Sequence, residues 1–228
     1  MPINKTDHIA NGGQTLEQGV AAMSDALGVE VPRGGKHDKM STHNCLMQAG
    51  NENFFELIAI DAEASAPGRT RWFTLDDPAT QARLSERPCA LCWVVNTDDL
   101  HGAIAASPVD LGEVVDFARG DRTWRLTVPE DGSLPMGGLL SAFIEWSPGP
   151  HPSTGLQNLG VTLKRVHLCH PDPSTLRATL AALCIEHLAQ IHEGPEALSF
   201  ELEAPQGYRH AQLTVPTARK ESRPLVHL

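Results

Sequence analysis

The stretch NFFELIAID, Asn53 to Asp61, carries one carboxylate in the middle of an apolar run. Side chains alternate faces along a strand, so Phe54, Ile58 and Ile60 share one face and Phe55, Leu57 and Ala59 the other. Both faces are apolar, as in a strand covered on both sides, yet Glu56 lies between them. A buried carboxylate is costly unless a cation, a hydrogen-bond donor or water compensates it. The stretch LLSAFIEW, Leu139 to Trp146, repeats the puzzle with Glu145. Phe54-Phe55-Glu56-Leu57 stands beside Phe143-Ile144-Glu145-Trp146. Two such strands in one chain point to a duplicated unit.

The surrounding signals recur in the same order. NKTDHIA reads as a short strand, and QTLEQGVAAMSDALG follows with Leu16, Val20, Met23 and Leu27 on one helical stripe. Thr15 with Gln18 resembles a capping box, and Gly28 stands where that helix stops. Thr42–Gln48 and Asn53–Asp61 then fit strands. In the second unit CALCWVV is a β-prone run, Thr97 or Asp98 caps a short helix around DLHGAIAA, and GEVVDFA, TWRLTVP and LLSAFIEW are strands. The third unit runs VTLKRVHL, an Asp172-Pro173 helix start, STLRATLAALCIEHL, then ALSFELEA and YRHAQLTV. EASAPGRTR and WSPGPHPSTG read as linkers, and ARKESRPLVHL has no periodicity.

The chain therefore reads as three βαβββ-type units over residues 3–61, 88–147 and 160–217. The expected fold class is α+β: tandem βαβββ modules curl a mixed sheet into a cup, and a third, βαβββ-like unit follows. Residues 1–150 form the paired domain and 151–228 the third unit and tail.

Composition sets the bounds. The 228 residues are 41% hydrophobic and 20% charged, as in a soluble globular chain, and no run reaches the roughly 18 apolar residues that span a bilayer. A formal charge of −10 argues against nucleic acid and anionic membranes as partners. MPINKTDHIANGG has no apolar signal core, and five cysteines, an odd number, suit a reducing compartment; the expected setting is the cytoplasm. Cys89 and Cys92 form a Cys-x-x-Cys pair, but on a strand their side chains face apart unless it bulges, so two small core residues is the reading adopted.

The arrangement resembles the vicinal oxygen chelate superfamily, and within it the glyoxalase-like domain group. The resemblance rests on Asp7-His8, the Gly34-Gly35-x-His37 turn, Thr42-x-Asn44, Phe55-Glu56-Leu57, and Ile144-Glu145-Trp146 followed by His151-Pro152. It covers residues 5–152 well and the third unit loosely. It implies a cup holding a divalent ion, Zn, Ni, Mn or Fe, bound by His8, Glu56 and Glu145. Glu56 and Glu145 are then the expected catalytic carboxylates. The fourth place departs from the pattern: the helix stripes align Leu16 with Leu100, a shift of 84 that sets Cys92 where His8 stands. His37, Asn44, Trp93, Trp146 and His151 are the expected substrate-binding residues, with Phe54 beside them. Gln212, where the third unit aligns with Glu56, is a weak neutral ligand at most. Two functions follow: a metal-dependent lyase or isomerase acting on a small molecule chelated through vicinal oxygens, or a metal-free protein that sequesters an apolar-aromatic ligand. A homodimer is the expected assembly.

Overall fold

In the computed structural model, which describes residues 3–211, the first two units form one eight-stranded mixed sheet. The first unit runs β1 (Lys5–Gly12), α1 (Leu16–Leu27), β2 (Arg33–His37), β3 (Thr42–Gln48) and β4 (Phe54–Ile60). A further helix, α2 (Pro78–Glu86), leads into β5 (Cys89–Asn96), α3 (Leu100–Ala106), β6 (Glu113–Arg119), β7 (Arg122–Val128) and β8 (Ala142–Trp146). The strand order is β2-β3-β4-β1-β5-β8-β7-β6. Each unit pairs its first and last strands in parallel, β1 with β4 and β5 with β8, and β1 meets β5 antiparallel at the centre. NFFELIAI and LLSAFIEW thus hold equivalent strand places in a pseudo-two-fold pair.

Local chemistry accounts for the elements. Thr15 Oγ1 accepts from the Gln18 amide at 3.1 Å, and Gly28 closes α1 at φ 71°, where only glycine is unstrained. Arg33–His37, read from sequence as a Gly-Gly turn, is an edge strand paired with β3. The helix α2 lies in a stretch with no apolar period. Its start uses the Asp-Pro signal seen at Asp172, since Asp77 caps it and Pro78 opens it. The cap of α3 is Asp99 rather than Thr97 or Asp98.

The sheet curls until its edges approach. Lys39 Nζ, just beyond β2, donates to the Asp116 carbonyl on β6 and lies 5.4 Å over the Phe117 ring. The concave face holds Ala10, Ile58, Cys92, Val94, Trp124, Leu126 and Ile144, and the convex face Ile9, Phe55, Leu57, Trp93, Val95 and Phe143. Strand β5 bulges where its pairing passes from Ala10↔Cys92 to Asn11↔Ala90. The bulge, not alternation, governs Cys89 and Cys92, and both fall in the concave-side core. All five cysteines are free thiols, and burial pushes the Cys92 thiol well up.

The third unit has the strand–helix–strands order with a different topology. It comprises β9 (Thr162–His170), α4 (Pro173–Ala182), β10 (Ala189–Glu193), β11 (Ala197–Ala204) and β12 (Gly207–Ala211), in the order β10-β9-β11-β12. The first strand pairs in parallel with the strand after the helix rather than with the last. Val166, Leu168, Leu198, Phe200 and Leu202 join the convex-side core, so this sheet covers the outside of the cup. Gln212 and the tail 218–228 lie outside the described residues. Among the described residues no helix is long and apolar enough to cross a membrane.

Candidate functional site

The cup has a polar floor on β1, β3 and β4. His8 and Glu56 both face the concave side and both are buried. Asn44 Nδ2 donates to Glu56 Oε1 at 2.6 Å, and its Oδ1 accepts from the Gly35 amide at 2.8 Å. His37 Nε2 stands 4.0 Å from Glu56 Oε1, and its Nδ1 lies 3.1 Å from Thr42 Oγ1. Burial, with the Arg119 charge and against that of Glu56, drops the His37 imidazole to about 4, so this ring is neutral near pH 7.

Behind the floor stands Asp7, fully buried. Its Oδ1 is 2.5 Å from His8 Nδ1, and its Oδ2 is 2.9 Å from His151 Nε2 and 2.8 Å from Trp146 Nε1. Burial alone raises this carboxyl. The bonds from His151 and His8 outweigh it and hold Asp7 at about 2. An ionised carboxylate only accepts, so His8 donates through Nδ1 and presents Nε2 to the cup. His8 Nε2 then faces Glu56 Oε2 across 3.6 Å, too long for a direct bond.

The walls are aromatic. Trp72 stacks on Phe73 at 5.2 Å and lies 5.0 Å from Phe117, which stacks on Trp124 at 5.5 Å; Trp124 lies 5.3 Å from Trp146. Phe54 stacks on the His8 ring at 4.3 Å. Phe73 and Thr74 adopt φ of 57° and 56°, an uncommon conformation that turns the connection from β4 to α2 back over the cup. Pro152, Gly155 and Leu156 close the far side, and Arg119 and Arg122 complete the lining. The cavity measures about 150 Å³, room for a benzene-sized group.

Five of the expected residues therefore meet in one cavity: His8, Glu56, His37, Asn44 and Trp146. His151 supports Asp7 from behind. Two do not meet it. Glu145 points to the convex side, where Arg125 pairs with its Oε1 and the Leu100 amide donates to its Oε2 at 3.3 Å. Ala142, Ile144 and Trp146 face the cup from β8, so the match of Glu145 with Glu56 is one residue out, and a one-residue slip inverts every side chain. Trp93 is fully buried on the convex side and donates to the Leu139 carbonyl at 3.0 Å. Sequence reasoning passed over Asp7 as a hub, Trp72 and Trp124 as walls, and the two arginines. The alternation of TWRLTVP put Trp124 and Leu126 on one face and could have marked β7 as a wall.

The donors do not fit a metal centre shared by two modules. The second module offers Cys92 or Val94 across from His8, and Ala142 or Ile144 in the place of Glu56. The first module keeps three potential donors, His8 Nε2, Glu56 and His37 Nε2, the last 4.0 Å from Glu56 Oε1, and a catalytic ion would need all three to face one point. Among the described residues no group of three His, Cys, Asp or Glu converges.

A family model described as a glyoxalase-like domain matches residues 6–184, and the chain belongs to that family. A hypothetical protein from Staphylococcus aureus is similar in structure, with TM-score 0.57 and 16% identity over 93% of this chain and 88% of that one. Methylmalonyl-CoA epimerase from Mycobacterium tuberculosis aligns with TM-score 0.40 and 18% identity, over 64% of this chain and 88% of the epimerase. A mutant 4-hydroxymandelate synthase from Streptomyces coelicolor aligns with TM-score 0.47 and 16% identity, over 96% of this chain and 66% of the synthase. No curated protein matches the chain.

Proposed function

We propose that the chain is an enzyme of the isomerase or lyase type that binds a small oxygenated molecule in the cup and moves a proton on it. The observation that carries this reading is the 3.6 Å gap between His8 Nε2 and Glu56 Oε2. A ligand atom seated against this pair, about 3 Å from each group, lies within reach of two proton carriers, so one can withdraw a proton and the other return it. Asp7 holds the His8 ring in the tautomer that leaves Nε2 available and balances the charge that forms when Nε2 takes a proton. Asn44 fixes the Glu56 carboxylate through its 2.6 Å bond. The aromatic walls exclude water, which strengthens each of these interactions.

The direct test is exchange of substrate hydrogen with solvent. The purified protein is incubated in D2O with 2-oxo acids, 2-hydroxy acids and 1,2-dicarbonyl compounds, and deuterium incorporation is read by NMR. Incorporation by the native protein and loss of roughly 100-fold or more in Glu56→Gln is the expected result. Metal dependence is read separately, from Zn, Ni, Mn and Fe content and from exchange after chelation. Among the described residues no three such side chains converge to hold an ion, so exchange is expected to survive chelation.

The aromatic belt favours one further reading, a binding protein that sequesters its ligand. Ligand binding with no exchange from any compound in the panel would select it.

A further inference from the structure

We propose that Arg119 and Arg122 form a carboxylate-recognition pair at the cup, so that the molecule bound there is an organic acid. This rests on the cup being the ligand site, as proposed above. The two residues are directly paired across the β6–β7 hairpin, and both line the cavity. Like charges directly opposite on a sheet destabilise the pairing, and a neighbouring acid would relieve the repulsion. Here none does it: among the described residues neither guanidinium has a carboxylate within ion-pair distance, in a chain of net charge −10. Arg122 Nη1 donates at 3.4 Å to the Pro150 carbonyl. Arg119 Nη1 is buried with no hydrogen-bond partner.

A buried donor left unpaired is costly, and a guanidinium offers a fork that matches a carboxylate in two parallel bonds. Gly35 leaves room for this fork, because a Cβ there would stand 3.0 Å from Arg119 Cδ and Nη1. The walls beside the pair are Trp124 and Trp72, so the recognised molecule combines one carboxylate with an apolar or aromatic body. The acid end would lie at the arginines and the oxygenated carbon near His8 and Glu56.

The test uses benzoate, phenylacetate and 3-phenylpropanoate against their amides, which keep the shape and lose the charge. Binding is followed by quenching of tryptophan fluorescence in the full-length protein. At least one acid is expected to bind tenfold or more tighter than its amide. Arg119→Gln and Arg122→Gln are each expected to weaken that acid roughly 10- to 100-fold and leave the amide unchanged, which also reports an intact fold. Arg119→Lys, which keeps charge and loses the fork, should fall between. Acids and amides binding alike, or an acid preference that survives both Gln variants, would overturn the pair and leave the cup reading standing. Failure of every probe, amides included, would overturn the cup reading and the pair with it.

Discussion

Asp7 shows at the residue scale how one buried charge organises a site. It accepts from two imidazoles and one indole, and each of these donors sits in or against the cup. Replacing it leaves those donors facing a group that cannot neutralise them. Asp7→Asn is therefore expected to lower stability by about 2–3 kcal/mol, read as a shift in urea midpoint at constant slope. The pH response has a definite sign. With the folded carboxyl held at about 2, below its ordinary 3.8, its stabilisation is complete above pH 3.8 and is lost as pH falls towards 2. Asp7→Asn should lack that loss. His37 acts in a higher window, because its ring is held at about 4 against an ordinary 6.5. The unfolded chain takes up that proton first, so stability falls between pH 6.5 and 4. A His37→Gln variant should show a flatter melting temperature across this range. Glu56 and Asn44 were legible from sequence because each is polar in an apolar strand, and His8 through the family resemblance. Asp7 was not, since its value lies in partners up to 144 residues away in the chain.

Elements in this protein are set by register, and register decides what faces the cup. Strand β8 is only five residues long, and Ile144 rather than Glu145 takes the inward place. Sequence similarity aligned the two acids because short apolar runs around them match equally well in either phase. The helix α1 was legible from its stripe and caps. Its closest approach was not: Gly19 faces Leu57, and a Cβ there would stand 2.5 Å from both Leu57 methyl carbons. Gly19→Ala raises helix propensity by up to about 1 kcal/mol, yet overpacking should cost about 1–3 kcal/mol. The variant is expected to be less stable than the native protein in urea denaturation. Strand β2 escaped sequence reading because Arg33-Gly34-Gly35-Lys36-His37 has no apolar alternation, and only its pairing with β3 makes it a strand.

The whole molecule is a duplicated cup with its histidines, Asn44 and Glu56 in one half and its arginine pair and part of its aromatic wall in the other. The first module supplies His8, His37, Asn44 and Glu56, and the second supplies Trp124, Trp146 and the two arginines. The duplication was legible from the repeated order of elements. The division of labour was not, because it depends on which face each strand turns inward. The third unit shares the convex-side core with the cup, so the two sheets are expected to unfold together. Tryptophan fluorescence and far-UV circular dichroism should report one coincident urea transition, and two separated midpoints would show independent units. The central claim is that proton transfer belongs to the first module alone. Solvent deuterium exchange measured side by side in Glu56→Gln and Glu145→Gln tests it most directly. The account predicts a loss of roughly 100-fold or more for Glu56→Gln and a rate within about threefold of native for Glu145→Gln. Equal losses in the two variants, or exchange that survives Glu56→Gln, would contradict it.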